Sequence, residues 1–226
     1  MANFAIMGFG TVGSGVAEVL RMNGGAIARK LGEPLRLKYI LDVRDLSATA
    51  YADVAVKDFS ALENDPDLDV VVESIGGAKV ALEFTRRALL AGKHVVTSNK
   101  ELVATHGREL LAIAREKNVN YLFEASVGGG IPVLRPLFQC LAGNEIEEIA
   151  GILNGTTNYI LTRMVRGGIP FAEALKEAQA KGYAEQNPAA DVEGLDAGPL
   201  HRRRDSARRS PWTALPSALH RRGCRP

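Results

Sequence analysis

Cysteine is nearly absent: 226 residues hold two, Cys140 and Cys224, far apart and without metal-ligand spacing. A disulfide framework is therefore not expected, and a reducing compartment is the default environment. Long apolar runs are missing as well. None approaches the ~18 residues that span a bilayer. Met1 leads straight into the strand-like Phe4-Ala5-Ile6-Met7, with no basic stretch or signal-type apolar segment between. The expected location is cytoplasmic, with no membrane partner. Extremes of composition are lacking too. Apolar residues make up 46% and charged residues 24%, as in an ordinary soluble protein, and the length suffices for one large domain or two small ones.

What is present is unevenly distributed. The formal net charge of +2 combines 20 Lys+Arg against 25 Asp+Glu in residues 1–197 with eight arginines, no lysine and one acid, Asp205, in residues 198–226. The basic excess belongs to this tail and gives no reason to expect the body to bind nucleic acid. The tail also holds four of the ten prolines and the only tryptophan, Trp212, but no isoleucine or valine. Such a composition cannot build a core. It offers little apolar burial against an ordering cost of roughly 1–2 kcal/mol per residue. Residues 198–226 read as an out-of-frame or otherwise foreign segment, since Arg, Pro, Ala, Gly and Ser are what GC-rich codons yield in a shifted frame. A basic nucleic-acid arm is the alternative. Hydrogen exchange is expected to show no protection after Asp196; a protected helix through Leu200 would contradict this reading.

The first half alternates strand-like and helical patterns. Strands are predicted over Phe4–Met7, Leu35–Val43, Asp69–Glu73, His94–Thr97 and Asn120–Phe123. Helices are predicted over Val12–Met22, Ala78–Ala91 (ended by Gly92) and His106–Lys117. This alternation implies right-handed crossovers and a doubly wound, parallel α/β sheet. From Gly128 the rhythm changes. A helix is predicted from Gly128 through Cys140 and a strand over Glu145–Leu153. Asn154 is read as the N-cap of a helix towards Val165, and Phe171–Lys181 as a further helix ended by Gly182.

Gly8-Phe9-Gly10-Thr11-Val12-Gly13 follows a strand and opens a helix, the context a dinucleotide fingerprint requires. Gly8 permits the tight turn, Gly10 lets a pyrophosphate approach the backbone, and Gly13 lets helix and strand pack closely. The helix N-terminus supplies N–H donors for the phosphates. Asp42 and Arg44 end the second strand, where the adenosine ribose is read. The carboxylate favours NAD and the guanidinium favours the 2′-phosphate of NADP, so both cofactors stay open.

Three segments narrow this further: Thr97-Ser98-Asn99-Lys100, Glu124-Ala125-Ser126-Val127-Gly128-Gly129-Gly130-Ile131-Pro132, and Gly151-Ile152-Leu153-Asn154-Gly155-Thr156-Thr157-Asn158-Tyr159-Ile160-Leu161. With Gly182-Tyr183-Ala184-Glu185 and Asp191-Val192-Glu193-Gly194-Leu195-Asp196, they resemble the signature segments of homoserine dehydrogenase, in that family's order, over residues 1–197. The resemblance implies a Rossmann-type NAD(P)-binding domain (1–127), followed by a partial, incomplete α+β substrate and dimerisation domain (128–197). The activity it implies is NAD(P)-dependent interconversion of L-aspartate 4-semialdehyde and L-homoserine, on the route to threonine, methionine and isoleucine. Lys100 would be catalytic and touch both cofactor and substrate, with Ser98 beside it. Glu185 and Asp196 would bind substrate. Gly8, Phe9, Gly10, Thr11, Val12, Gly13, Arg44, Ser98, Lys100 and Gly182 would bind cofactor. Glu124, with the carbonyls of Val127, Gly129 and Ile131, would hold a monovalent cation such as sodium. A homodimer is likewise implied.

The resemblance breaks after Asp196. The family carries its principal catalytic lysine four residues past that aspartate, on the same helical face. Here that position is Leu200, preceded by Gly198-Pro199, and leucine neither donates a proton nor carries charge. A chain truncated or frame-shifted after about residue 197 is the expectation, with impaired catalysis. Two other readings stay open: a different Rossmann-type reductase of a small aldehyde, and a non-catalytic NAD(P)-binding or interaction protein.

Overall fold

The computed structural model describes residues 1–148 and 154–184. These fall into two compact units, residues 1–137 and residues from 138 on.

The first unit is a six-stranded sheet of β1 (Ala2–Met7), β2 (Leu35–Leu41), β3 (Ala55–Val56), β4 (Val70–Glu73), β5 (His94–Thr97) and β6 (Tyr121–Leu122). The strand order is β3-β2-β1-β4-β5-β6 and every pairing is parallel. This is the dinucleotide-binding order, with its switch point between β1 and β4. Helices α1 (Thr11–Leu31), α2 (Ser60–Glu63), α3 (Lys79–Leu90) and α4 (Lys100–Glu116) connect the strands.

Alternation along each strand creates the two faces. In β1, Phe4 and Ile6 pack with Ala17 of α1 and Ile40. Ala5 and Met7 point the other way, into a core with Val71, Val95, Leu89 of α3, and Leu102 and Leu110 of α4. The Val70-Val71-Val72 run serves both faces, with Val71 in one core and its two neighbours packed against the other. A continuous apolar strand is the mark of a sheet covered on both sides.

The structure extends two of the predicted helices. The first runs to Leu31 through Gly24-Gly25, although each glycine weakens a helix by about 1 kcal/mol. Half-buried Ile27 and Ala28 follow. Arg29 and Lys30 then complement the negative end of the dipole, and Gly32, at φ +87°, closes the helix by donating to the Ala28 carbonyl. The helix placed at His106–Lys117 starts at Lys100, because the Asn99 side chain accepts from Leu102 N–H and caps it there. Neither β3 nor α2 was anticipated, both being shorter than a recognisable period.

The helix predicted from Gly128 to Cys140 is replaced by an irregular turn and a short π-helical stretch, Pro136–Cys140. Gly128 and Gly129 have φ of +75° and +58°, which a right-handed helix cannot use. No strand forms over residues 145–148; the remainder of that predicted strand, 149–153, lies outside the described residues.

The second unit contains α5 (Gly155–Gly167) and α6 (Phe171–Ala180). Asn154 caps α5 as expected, its side chain accepting from Thr157 N–H at 2.7 Å. The helices meet through Ile160, Ala174 and Ala178, with Ala184 closing the cluster. Arg163 grips Glu177 through two bonds, of 2.7 and 2.9 Å.

Candidate functional site

The fingerprint glycines have three different reasons to be glycine. Gly8 has φ +87°, and a Cβ there would stand 2.8 Å from the Ser74 carbonyl oxygen. A Cβ on Gly13 would lie 2.1 Å from the Gly8 carbonyl oxygen and 3.0 Å from the Ile6 side chain. Both positions are dictated by the protein itself. Gly10 is not: a Cβ there meets nothing within 4 Å, and its φ of −71° suits any residue. The space over Gly10 faces the start of α1, where no side chain caps the helix. An uncapped helix N-terminus behind open backbone suits an anionic diphosphate.

At the end of β2, Asp42 is turned inward. Its carboxylate accepts the Phe9 N–H at 2.6 Å, which ties the end of β2 to the fingerprint loop. Arg44 folds onto the same carboxylate through Nε and Nη2, both at 3.0 Å. The Asp42 side chain is 7% exposed and that of Arg44 57%. The Arg44 hydrogen bonds hold the Asp42 carboxyl well below the usual range; desolvation opposes them, and the Arg44 and Phe9 amides reinforce them. Lys57, which no sequence motif singles out, donates to the carbonyls of Asp42 and Val43 at 3.2 and 3.0 Å. Three charged groups therefore gather where the sequence indicated two.

Across the switch point, Lys100 is the first residue of α4 and is exposed. A cation in a first turn opposes the helix dipole, at a cost of about 0.3–1 kcal/mol. Glu101, in the same turn, supplies the acid that the dipole favours. Ser98 is half-buried between β5 and this helix. Asn99 anchors the segment, donating through Nδ2 to the carbonyls of Ile75 and Gly77 at 3.0 and 2.8 Å. Beneath it lies Glu73, fully buried at the end of β4. It accepts from the Thr97 hydroxyl and from Ile75 N–H. Burial pushes its pKa up, against the hydrogen bonds of Thr97, Ile75 and Asn99. The sequence held a signal for both residues. An acid closing a Val-Val-Val strand is out of place unless hydrogen-bonded, and an asparagine three residues before Leu102 is an N-cap.

The cation site expected at Glu124, Val127, Gly129 and Ile131 is not supported. Glu124 accepts backbone N–H groups from Val133, Leu134 and Arg135 at 2.6, 2.9 and 2.7 Å. Desolvation pushes its pKa up, but the Val133, Arg135 and Leu134 amides outweigh this and lower it. Three donors occupy most of what a carboxylate can accept. Through these bonds it caps the turn that follows. The Gly128 carbonyl accepts Ile131 N–H, closing the glycine-rich segment on itself. Ile131 is exposed. Among the described residues no group of three or more His, Cys, Asp or Glu stands together. Gly182 ends the α6 segment at φ +72° and donates to the Gln179 carbonyl. Glu185, Asp196, Leu200 and the basic tail lie outside the described residues. No helix among the described residues is long and apolar enough to cross a membrane.

Comparison with known proteins follows this anatomy. The family model for the homoserine dehydrogenase NAD binding domain matches residues 8–124, and that for homoserine dehydrogenase matches residues 132–199. A homoserine dehydrogenase of Neisseria gonorrhoeae is 47% identical over 198 residues, covering 87% of this chain and 46% of its own length. One from Bacillus subtilis is 45% identical, with 85% and 45% covered. The solved homoserine dehydrogenase of Thiobacillus denitrificans superposes with a TM-score of 0.82 at 42% identity, over 88% of this chain and 46% of that one. A hyperthermophilic archaeal homoserine dehydrogenase, solved in complex with NADPH, gives 0.76 at 29% identity, over 88% and 66%. The chain spans about half the length of the curated relatives it matches. With two adjoining family models and a parallel sheet in the dinucleotide-binding order, the chain belongs to the homoserine dehydrogenase family.

Proposed function

We propose that this chain is the cofactor-binding and part of the substrate-binding region of a homoserine dehydrogenase, interconverting L-homoserine and L-aspartate 4-semialdehyde. The observation that carries the reading is the open space over Gly10 at an uncapped helix start, with Lys100 on the same carboxyl edge of the sheet. Gly8, Phe9, Gly10, Thr11, Val12 and Gly13 form the pyrophosphate loop. The nicotinamide cofactor, when bound, supplies or accepts the hydride. The chain's own contribution is to orient it and to place the Lys100 ammonium against an oxygen that gains negative charge, the kind of stabilisation that dominates such reactions. Ser98 accompanies Lys100. Gly182 on the cofactor side, and Glu185 and Asp196 on the substrate's ammonium and hydroxyl, are assigned from the family segments alone. We take residues 1–127 as the cofactor domain, residues 128–197 as the partial substrate and dimerisation domain, and a cytoplasmic homodimer as the assembly.

Calorimetry with NADH and NADPH, followed by homoserine oxidation at alkaline pH, tests this. Absence of binding to either dinucleotide would remove the assignment. Cofactor choice has its own test in Arg44, which the Asp42 carboxylate now engages. Arg44→Ala is expected to weaken NADPH by roughly tenfold, the value of one charge-assisted contact to a 2′-phosphate, and NADH much less. Equal effects would make Arg44 a partner of Asp42 only.

A further inference from the structure

The ends of β4 and β5 are joined by a closed ring of hydrogen bonds that sheet pairing does not require. Asn99 N–H donates to Thr97 Oγ1 at 2.9 Å. The Thr97 hydroxyl in turn donates to Glu73 Oε2. Glu73 Oε1 accepts the Ile75 N–H at 2.7 Å, and the Ile75 carbonyl accepts Asn99 Nδ2 at 3.0 Å. Glu73 and Thr97 are 0% and 1% exposed. A buried carboxyl is disfavoured unless its oxygens are satisfied, and an apolar residue would end this strand with no such demand. The sheet alone therefore does not account for the acid.

What the ring holds in place does account for it. Asn99 Oδ1 accepts Leu102 N–H and so fixes where α4 begins, with Lys100 as its first residue. Its Nδ2 also holds the Gly77 carbonyl at 2.8 Å, pinning the 75–77 loop. That loop abuts the fingerprint: Ser74 Oγ donates to the Gly8 carbonyl at 2.7 Å, and a Cβ on Gly8 would come within 3.1 Å of Ile75 N. One polar network thus runs from the fingerprint turn to Lys100. A dinucleotide whose pyrophosphate rests on α1 and whose adenosine ribose lies at the end of β2 must extend its other half across the switch point, over the ends of β4 and β5.

We propose that Glu73 is a positioning residue for the nicotinamide half of the site, setting the 75–77 loop and the Asn99–Lys100 segment through Ile75 N–H and Thr97 Oγ1. This rests on the cofactor reading above. The test uses the full chain and two ligands, NADH and ADP-ribose, which lacks the nicotinamide. Glu73→Gln removes one acceptor, since a carboxamide nitrogen cannot accept the Thr97 hydroxyl. Thr97→Val removes the hydroxyl, and Thr97→Ser restores it. Glu73→Gln and Thr97→Val are expected to bind NADH about tenfold more weakly with ADP-ribose affinity unchanged, and Thr97→Ser to match the parent chain. If Glu73→Gln does not fold, the two Thr97 variants decide. Equal losses for both ligands, no loss for either, or a Thr97→Ser that behaves as Thr97→Val would overturn the positioning role. A parent chain that binds neither ligand would instead overturn the cofactor reading.

Discussion

Gly13→Ala is expected to destabilise the cofactor unit by about 3 kcal/mol or more, while Gly10→Val is expected to leave it folded and abolish dinucleotide binding. The two glycines are three residues apart and look alike in the sequence. The physical difference lies in what surrounds them. One methyl group on Gly13 would sit 2.1 Å from the Gly8 carbonyl oxygen, which is backbone, and 3.0 Å from both the Ile6 side chain and Ser74 Oγ. None of these is a flexible chain end that can swing aside. Overpacking of this kind costs typically about 1–3 kcal/mol even where neighbours relax, and here α1 would have to lift from β1. The Gly10 side has open space and an ordinary φ, so valine there should cost about 1 kcal/mol or less, as a poor N-cap. Its side chain would occupy the room through which a diphosphate reaches the helix N-terminus. Urea unfolding and calorimetry read the two effects separately. A Gly13→Ala chain with an unchanged urea midpoint would contradict the packing claim. A Gly10→Val chain that binds NADH or NADPH as tightly as the parent would remove the pyrophosphate assignment.

The second large effect is on turnover. The chain as written is expected to oxidise homoserine about 10²–10⁴-fold more slowly than a version whose residues 198–226 are replaced by the corresponding segment of a curated relative. That range is the usual value of general-acid or general-base assistance, and under the proposed function Leu200 stands at the position the resemblance assigns to the family's lysine. If Asp196 holds substrate as proposed, its misplacement would add to the loss, since small displacements of such a group can cost about 10²-fold. Lys100 stands at the other candidate position for proton transfer. The ratio of kcat values for the two proteins at alkaline pH measures the effect. Comparable kcat values would refute the claim and make Lys100 the group that moves the proton.

Residue pattern alone determined the class of fold and the turn that the glycine fingerprint makes between its first strand and helix. Alternating short strands and helices, each with its own period and stop signal, left one economical architecture, and a glycine fingerprint between β1 and α1 is a local feature. The N-caps were local too: Asn154 could be read beside its helix because the donor it serves lies three residues away. Asn99 carries the same signal, and its cap starts α4 six residues before the His106 start that the pattern predicts. Tertiary structure alone decided the rest. Glu73 pairs with Thr97, 24 residues on, and no local pattern reveals that a strand-ending acid will be sealed between two strand ends. Glu124 offered the same ambiguity in reverse. A glycine-rich turn beside an acid suits a cation by composition, and only the folded chain shows that three amide donors from residues 133–135 reach that carboxylate. Asp42 and Arg44, read as competing signals for two cofactors, turn out to be partners of one another. In each case the deciding quantity is which donor reaches a carboxylate first, and that is set by long-range packing rather than by neighbours in sequence.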